Sequence, residues 1–392
     1  MLVFKAFCLE SYPSIMIFDL ATIHTVGKIA VLIILLLAVF LLTVESRIKP
    51  ANRLFAIFLC LVAFDMCGLF MYDWLIQQPY VDMLRRSSAY LQMPLVYFYI
   101  KRVCFKNVDI EFAIFKHILL FIVYWLALLS QFVWLSKAQQ VQFLQNTHEP
   151  LFVVFSAMGE LQYFFYIYLM FGALSTYKQN YQASFSSYET TAYKWLFQLT
   201  CISLCAHLIA LFKDVAVYFA PSHYVLTAHF IVSLTVLSVI CWLVLKALYH
   251  PSITRGVSTE ATLFEEKKPK TTSTQSLNQE TQKKIDVLEH YMQTNEPYLD
   301  PDLSIETLAN SINENAKELS GLINQHIGKN FFSYVNAYRI EKAKLLLSVP
   351  TQKKRSVLVV LYEVGFNSKS SFNTAFKKHT GQTPSSYRQS LQ

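Results

Sequence analysis

Val364 to Arg388 reads VGFNSKSSFNTAFKKHTGQTPSSYR, and this stretch decides how the end of the chain folds. Just ahead of it, Val357 to Val364 supplies an apolar helix. Gly365 then gives a turn, because glycine enters positive φ without a Cβ penalty. From Ser368 to His379 a second helix places Phe372, Ala375 and Phe376 inward at helical spacing. Ser370, Asn373, Thr374 and Lys377 point outward from it. Thr383-Pro384 starts a short last helix, with Thr as N-cap and Pro at the first helical position. The reading is a helix-turn-helix whose second helix shows a polar face.

Upstream the pattern occurs once more. Leu303 to Ile327, LSIETLANSINENAKELSGLINQHI, predicts helix, turn, helix. Asn313 sits in the turn, where Asn tolerates a left-handed backbone. Asn315 and Glu318 predict a capping box for the second helix. There Leu319, Leu322, Ile323 and Ile327 share one face, and Lys317, Ser320, Gly321 and Asn324 take the other. Between the units lies FFSYVNAYRIEKAKLLL, Phe331 to Leu347. Its wheel has one apolar face of Phe331, Val335, Tyr338 and Leu345 and another of Ile340, Ala343 and Leu347. Such a helix can join two units. Its length of about 25 Å suits two reading helices set about one DNA turn apart, roughly 34 Å.

Charge points the same way. From Thr351 to Arg388 the cations are Lys353, Lys354, Arg355, Lys369, Lys377, Lys378 and Arg388, against Glu363 alone. Cations that neutralise phosphates supply most non-specific affinity for DNA. A charge run alone is often a solvated face; beside two helix-turn-helix units it implies double-stranded DNA as partner.

From about Lys283 onward the chain resembles the DNA-binding domain of AraC/XylS-type bacterial transcription regulators. The residues that carry the resemblance are YLDPDLSIETLA, YVNAYRIEKAKLLL and EVGFNSKSSFNTAFKKHTGQTPSSYR. It covers about 110 residues, just over a quarter of the chain. The resemblance implies base reading by Lys317, Ser320 and Gly321 in the first unit, with Asn324 on the same face. In the second it implies base reading by Lys369, Ser370 and Thr374, with Asn373 beside them. Ser368, Lys377, Lys378 and Arg388 would hold phosphates. Two residues depart from the family pattern. Gly321 replaces a long side chain, which weakens base reading by the first unit. Leu361 replaces a small Ala ahead of the second turn.

The remainder of the chain belongs to another solvent. Of 392 residues, 54% are hydrophobic and 15% charged, where soluble chains carry about 25% charged. The formal net charge of +8 fits an anionic partner, headgroup or nucleic acid. Seven windows reach the roughly 20 apolar residues that a bilayer requires: near 24–44, 54–76, 87–105, 115–135, 151–176, 194–219 and 225–248. The third and sixth are the most polar. MPLVYFYIKRVCFKN, Met93 to Asn107, resembles the multi-span region of membrane-tethered members of the same family. Loops after spans one, three and five carry eight Lys and Arg, against four for the N-terminal tail and the other loops. Positive loops stay in the cytoplasm. The expected topology is therefore an inner (cytoplasmic) membrane protein with the N-terminus outside and the C-terminal domain in the cytoplasm. The start of the chain lacks a small-residue cleavage site, so the N-terminus is expected to be retained. The seven cysteines show no metal-binding spacing and fit packed helices.

Residues 1–250 thus read as a transmembrane sensor domain, 251–282 as a flexible linker, and 283–392 as the DNA-binding domain. The linker is rich in Ser, Thr, Lys and Glu, and about 30 such residues span roughly 30 Å. The fold class is all-α: a seven-span helix bundle followed by two helix-turn-helix units on a linker helix. Ionisable residues within spans are functional candidates because charge is costly in lipid. Asp73, Glu160, Lys213, Asp214 and His229 fall in the outer half and suggest a pocket for an extracytoplasmic signal ligand. The plainer alternative is hydrogen bonding between helices. HExxH, GxSxG, P-loop and GxGxxG motifs are absent and glycines number only 9, which argues against an enzyme and predicts no cofactor and no metal. A transporter or receptor whose tail does not bind DNA is the competing class, but paired Gly/Pro-broken spans are missing. A signal could act through homodimerisation, release of the tail or clustering.

Overall fold

The computed structural model describes residues 20–46, 48–105, 111–146, 149–186, 191–219, 222–249, 279–348 and 355–391. These residues form helices, with isolated bridges but no strand among them. The chain divides into two compact units: Met1–Leu174 with Thr191–Glu266, and Ser175–Thr190 with Lys267–Gln392.

The first unit contains α1 (Leu20–Thr43), α2 (Lys49–Met66), α3 (Tyr72–Gln77), α4 (Pro79–Ser87), α5 (Ala89–Cys104), α6 (Glu111–Phe132) and α7 (Lys137–Gln145). It also holds most of α8 (Pro150–Ser184), with α9 (Thr191–Phe219) and α10 (Ser222–Tyr249). Six of these helices are long and apolar enough to cross a membrane: Ala21–Thr43, Lys49–Leu69, Phe115–Phe132, Pro150–Ser184, Tyr193–Ala216 and Thr227–Tyr249. Much of their apolar surface has no protein neighbour. Leu32, Leu36, Leu161, Tyr168 and Phe212 are all exposed. In water, exposing such large apolar faces would be costly.

The seventh predicted window, 87–105, is different. Here α5 has 16 residues, with Pro94 inside and Lys101 and Arg102 in its last turn. The window took in Ser87 and Ser88, which lie at the junction of α4 and α5. Its Val96, Phe98, Tyr99 and Ile100 are buried. The second window also ends early. A 3-10 turn at Cys67–Leu69 closes α2, and Tyr72–Gln77 is a helix of its own.

The second unit contains the C-terminal end of α8, then α11 (Gln279–Asn295), α12 (Ile305–Ser311), α13 (Ala316–Gln325), α14 (Phe331–Leu347), α15 (Val357–Glu363), α16 (Lys369–Thr380) and α17 (Pro384–Ser390). Of the predicted linker, residues 251–278 lie outside the described residues, and Gln279–Gln282 already belong to α11. Two cores are built on α14. Its N-terminal half lends Phe331, Tyr334 and Val335 to a cluster with Leu288, Leu308, Leu319 and Ile323. Its C-terminal half lends Ile340, Ala343 and Leu347 to a cluster with Val360, Leu361, Phe372 and Phe376. Each buried Val, Leu, Ile or Phe among these contributes about 1.5–3 kcal/mol. Leu345, assigned by the wheel to the first apolar face, is exposed. The first core ends before it along α14, and Tyr334 fills that role instead.

Candidate DNA interface

Two helices present the predicted reading faces. In the first unit, α13 starts at Asn315, whose side chain accepts from the Lys317 amide at 2.8 Å. The predicted return bond from Glu318 is replaced by an ion pair of Glu318 with Lys284 at 3.2 Å. The reciprocal capping box lies one helix earlier, between Ser304 and Thr307. Asn313 turns the chain with φ of 55°. Leu319 and Ile323 face the core. Lys317 and Asn324 are exposed, and Ser320 and Gly321 half-exposed. The Asn324 amide donates to the Ser320 carbonyl at 2.8 Å and to its hydroxyl at 3.2 Å.

The second unit repeats the arrangement. Gly365 takes φ of 87°. Ser368 caps α16: its oxygen accepts from the Ser371 amide at 3.2 Å and lies 2.7 Å from the Ser371 hydroxyl. The predicted phosphate contact Ser368 is thus occupied in fixing the helix start. Phe372, Ala375 and Phe376 are buried, as their spacing requires. Lys369, Ser370, Thr374, Lys377 and Lys378 are exposed, and Asn373 half-exposed. Thr383 caps α17 by accepting from the Ser386 amide, with Pro384 following. Arg388 is half-buried, and its Nε and Nη2 are enclosed without an acceptor among the described residues. Arg355 pairs with Glu363.

The five signal-pocket candidates in the first unit fall into separate sets. Glu160 bonds His207 at 2.8 Å, and the Tyr163 ring stacks on His207 at 3.4 Å. The Tyr163 hydroxyl lies 3.1 Å from that of Ser203. Lys213 pairs with its neighbour Asp214 at 2.6 Å, and both are within electrostatic reach of His229. His229 Nδ1 lies 2.8 Å from the Val225 carbonyl. Asp73 is exposed, in the first turn of α3. Sequence reasoning did not link Arg85, which bonds Asp82 and Asp65, each at 2.8 Å. Gly68 accommodates that guanidinium, since a Cβ there would meet Arg85 Cζ at 2.6 Å.

Residues 308–390 match the model of a family described as helix-turn-helix domain. An uncharacterized HTH-type transcriptional regulator encoded in the cgkA 5' region of Pseudoalteromonas carrageenovora is 33% identical over 90 residues, 23% of this chain and 51% of the relative. Another from Staphylococcus aureus strain COL is 34% identical over 87 residues, 22% of this chain and 11% of the relative. A solved structure of a Listeria innocua protein of unknown function is 32% identical, covers 28% of this chain and 97% of its own, and has a TM-score of 0.25. Residues 308–390 are an AraC-type helix-turn-helix domain. The chain spans about half or less of the length of these curated relatives, so the likeness speaks for the AraC-type domain alone.

Within the AraC-type domain, Arg339 on α14 was not singled out by its sequence context, yet it is 1% exposed. Its Nε donates to the Tyr298 carbonyl and its Nη2 to the Asp300 carbonyl, both at 2.7 Å. Its guanidinium also lies over the Phe366 ring, 5.5 Å from the centroid. Burial pushes its pKa down to about 10, opposed by the charges of Asp300 and Asp302, so it stays cationic near neutral pH. The available signal was an Arg in the middle of an apolar helix face, which demands partners. Beside it, Lys342 and then Tyr298 hydrogen-bond Glu296, holding that carboxyl below the usual range.

Proposed function

We propose that the chain is a membrane-bound, one-component transcription regulator that reads promoter DNA through its C-terminal unit. One observation carries this: two capped helices built on a single linker helix leave their polar faces exposed, in a chain with six helices apolar enough to cross a membrane. Lys317, Ser320, Gly321 and Asn324 read one major groove; Lys369, Ser370, Asn373 and Thr374 read the next. Lys377, Lys378 and Arg388 hold phosphates. Ser368 fixes the start of α16, where the helix dipole favours phosphate. The helix-turn-helix regulators that the domain matches support the same role.

The remaining expectations join this reading. The first unit spans the inner membrane seven times, with α5 as a short span shielded by its neighbours, and the N-terminus lies outside. Glu160, with His207 and Tyr163, forms the polar centre that responds to a signal ligand. Lys213, Asp214 and His229 form a second such centre, and Asp73 lies at the outer rim. Chromatin mapping of the full-length chain in a bacterial host tests the DNA role. Discrete promoter peaks are expected, and Lys369→Ala with Thr374→Ala should redistribute them. Uniform genomic signal, or none, would overturn it.

A further inference from the structure

We propose that Phe185 and Ser186, just past the end of α8, clamp the two reading units of the AraC-type domain at a fixed spacing, so that the fourth of the six long apolar helices controls DNA recognition directly. The proposal rests on the DNA-binding reading above. Residues Ser175–Thr190 fall within the second unit. Phe185 forms an antiparallel bridge with Ser304. The Ser186 amide donates to the Leu303 carbonyl at 3.2 Å, and its hydroxyl donates to the same oxygen at 2.8 Å. Arg339 then donates Nη1 to the Ser186 carbonyl at 3.1 Å and Nη2 to its hydroxyl at 2.9 Å. Asn336 adds a bond to that carbonyl at 3.4 Å. Ser186 is 1% exposed.

Arg339 links the segment ahead of the first unit to the turn of the second. It bonds Tyr298 and Asp300 ahead of the first unit and lies over Phe366 in the turn of the second. A Cβ on Gly365 would meet the Tyr298 carbonyl at 2.6 Å, so the 3-10 turn Pro297–Leu299 packs backbone to backbone against the Gly365 turn. If the segment undocks, Arg339 Nη1 retains, among the described residues, Asn336 Oδ1 at 3.5 Å. A buried guanidinium with unmet donors loosens its remaining contacts. Ser186 bonds Leu303, Arg339 and Asn336, while Lys317, Asn324, Lys369, Ser370 and Thr374 are exposed, so the clamp acts on spacing.

The route is mechanical. Glu160 and Ser184 lie in the same continuous helix. A shift of α8 therefore reaches Ser186, two residues past the helix end, through continuous helix.

The test uses the full chain in phosphatidylethanolamine/phosphatidylglycerol nanodiscs. Its targets are a DNA site selected from a random pool and the same site with two base pairs inserted between its halves. Wild type should prefer the selected spacing roughly tenfold or more. Ser186→Pro, which removes both the amide and hydroxyl donors, should narrow that preference to about twofold. Ser186→Ala should fall between, guarding against a proline variant that fails to fold. Hydrogen exchange should show faster exchange at residues 298–304 and 336–340 with α13 and α16 still protected. Unchanged exchange in both variants, or faster exchange with the spacing preference intact, would overturn the clamp and leave the DNA reading standing. Wild type that binds no DNA at either spacing would overturn the DNA reading and the clamp with it.

Discussion

Gly365 shows how much can rest on a missing side chain. It combines φ of 87° with two carbonyls, of Tyr298 and Leu299, at 2.6 and 2.8 Å from where a Cβ would stand. Gly365→Ala should therefore destabilise the second unit by about 2 kcal/mol or more, read as a lower midpoint in thermal unfolding. A smaller loss would mean that the Pro297–Leu299 turn can move away from Gly365 freely. Glu296 is a titratable counterpart. Its carboxyl pKa is lowered by Lys342 and Tyr298, so its stabilising effect is complete above the ordinary carboxylate pKa. The effect is lost as pH falls through the lowered folded value. Glu296→Gln should flatten the acid limb of unfolding followed against pH; an unchanged limb would remove Glu296 from the account. Gly365, Asn313 and the Thr383 cap were legible in the sequence because each is a local backbone demand. The Ser186–Arg339 contact was not, because it joins residues 153 apart and neither belongs to a periodic pattern.

Among the elements, the linker helix carries the design. The sequence showed its two apolar faces, and the structure divides them lengthwise, one half for each core. A wheel has no axial coordinate, which is why Leu345 was misassigned. Along α16 the exposed polar residues separate by role. Lys369→Ala and Thr374→Ala should each change the preferred base at one position by about 1–3 kcal/mol. Lys377→Ala should weaken all sequences alike and lower the salt slope by about 1. Competition binding with base-substituted sites distinguishes these, and equal losses in all three would refute the division. The first unit should discriminate less, because Gly321 offers no side chain where α13 faces outward.

At the scale of the molecule, composition separated an apolar region from a polar one before any contact was known. Charge is sparse through the long apolar runs, and the polar, helical remainder follows. Window hydropathy was less informative about the α4–α5 region, where a short buried helix replaces a full apolar run. It also could not show that part of the Lys178-containing loop packs within the second unit. Glu160 lies on the helix that ends in that packing, so Glu160→Gln should alter signal-dependent promoter output while leaving the DNA affinity of the full chain unchanged. Reporter assays set beside binding assays would check both halves of that statement. The central claim is that an AraC-type domain reads DNA with two heads while the chain remains in a membrane. Footprinting of the full-length chain in nanodiscs on its selected site, across a salt series, tests it most directly. Two protected major-groove segments on one face of the duplex, about one helical turn apart, with affinity falling steeply as salt rises, are predicted. A single protected segment, or binding indifferent to salt, would contradict the claim.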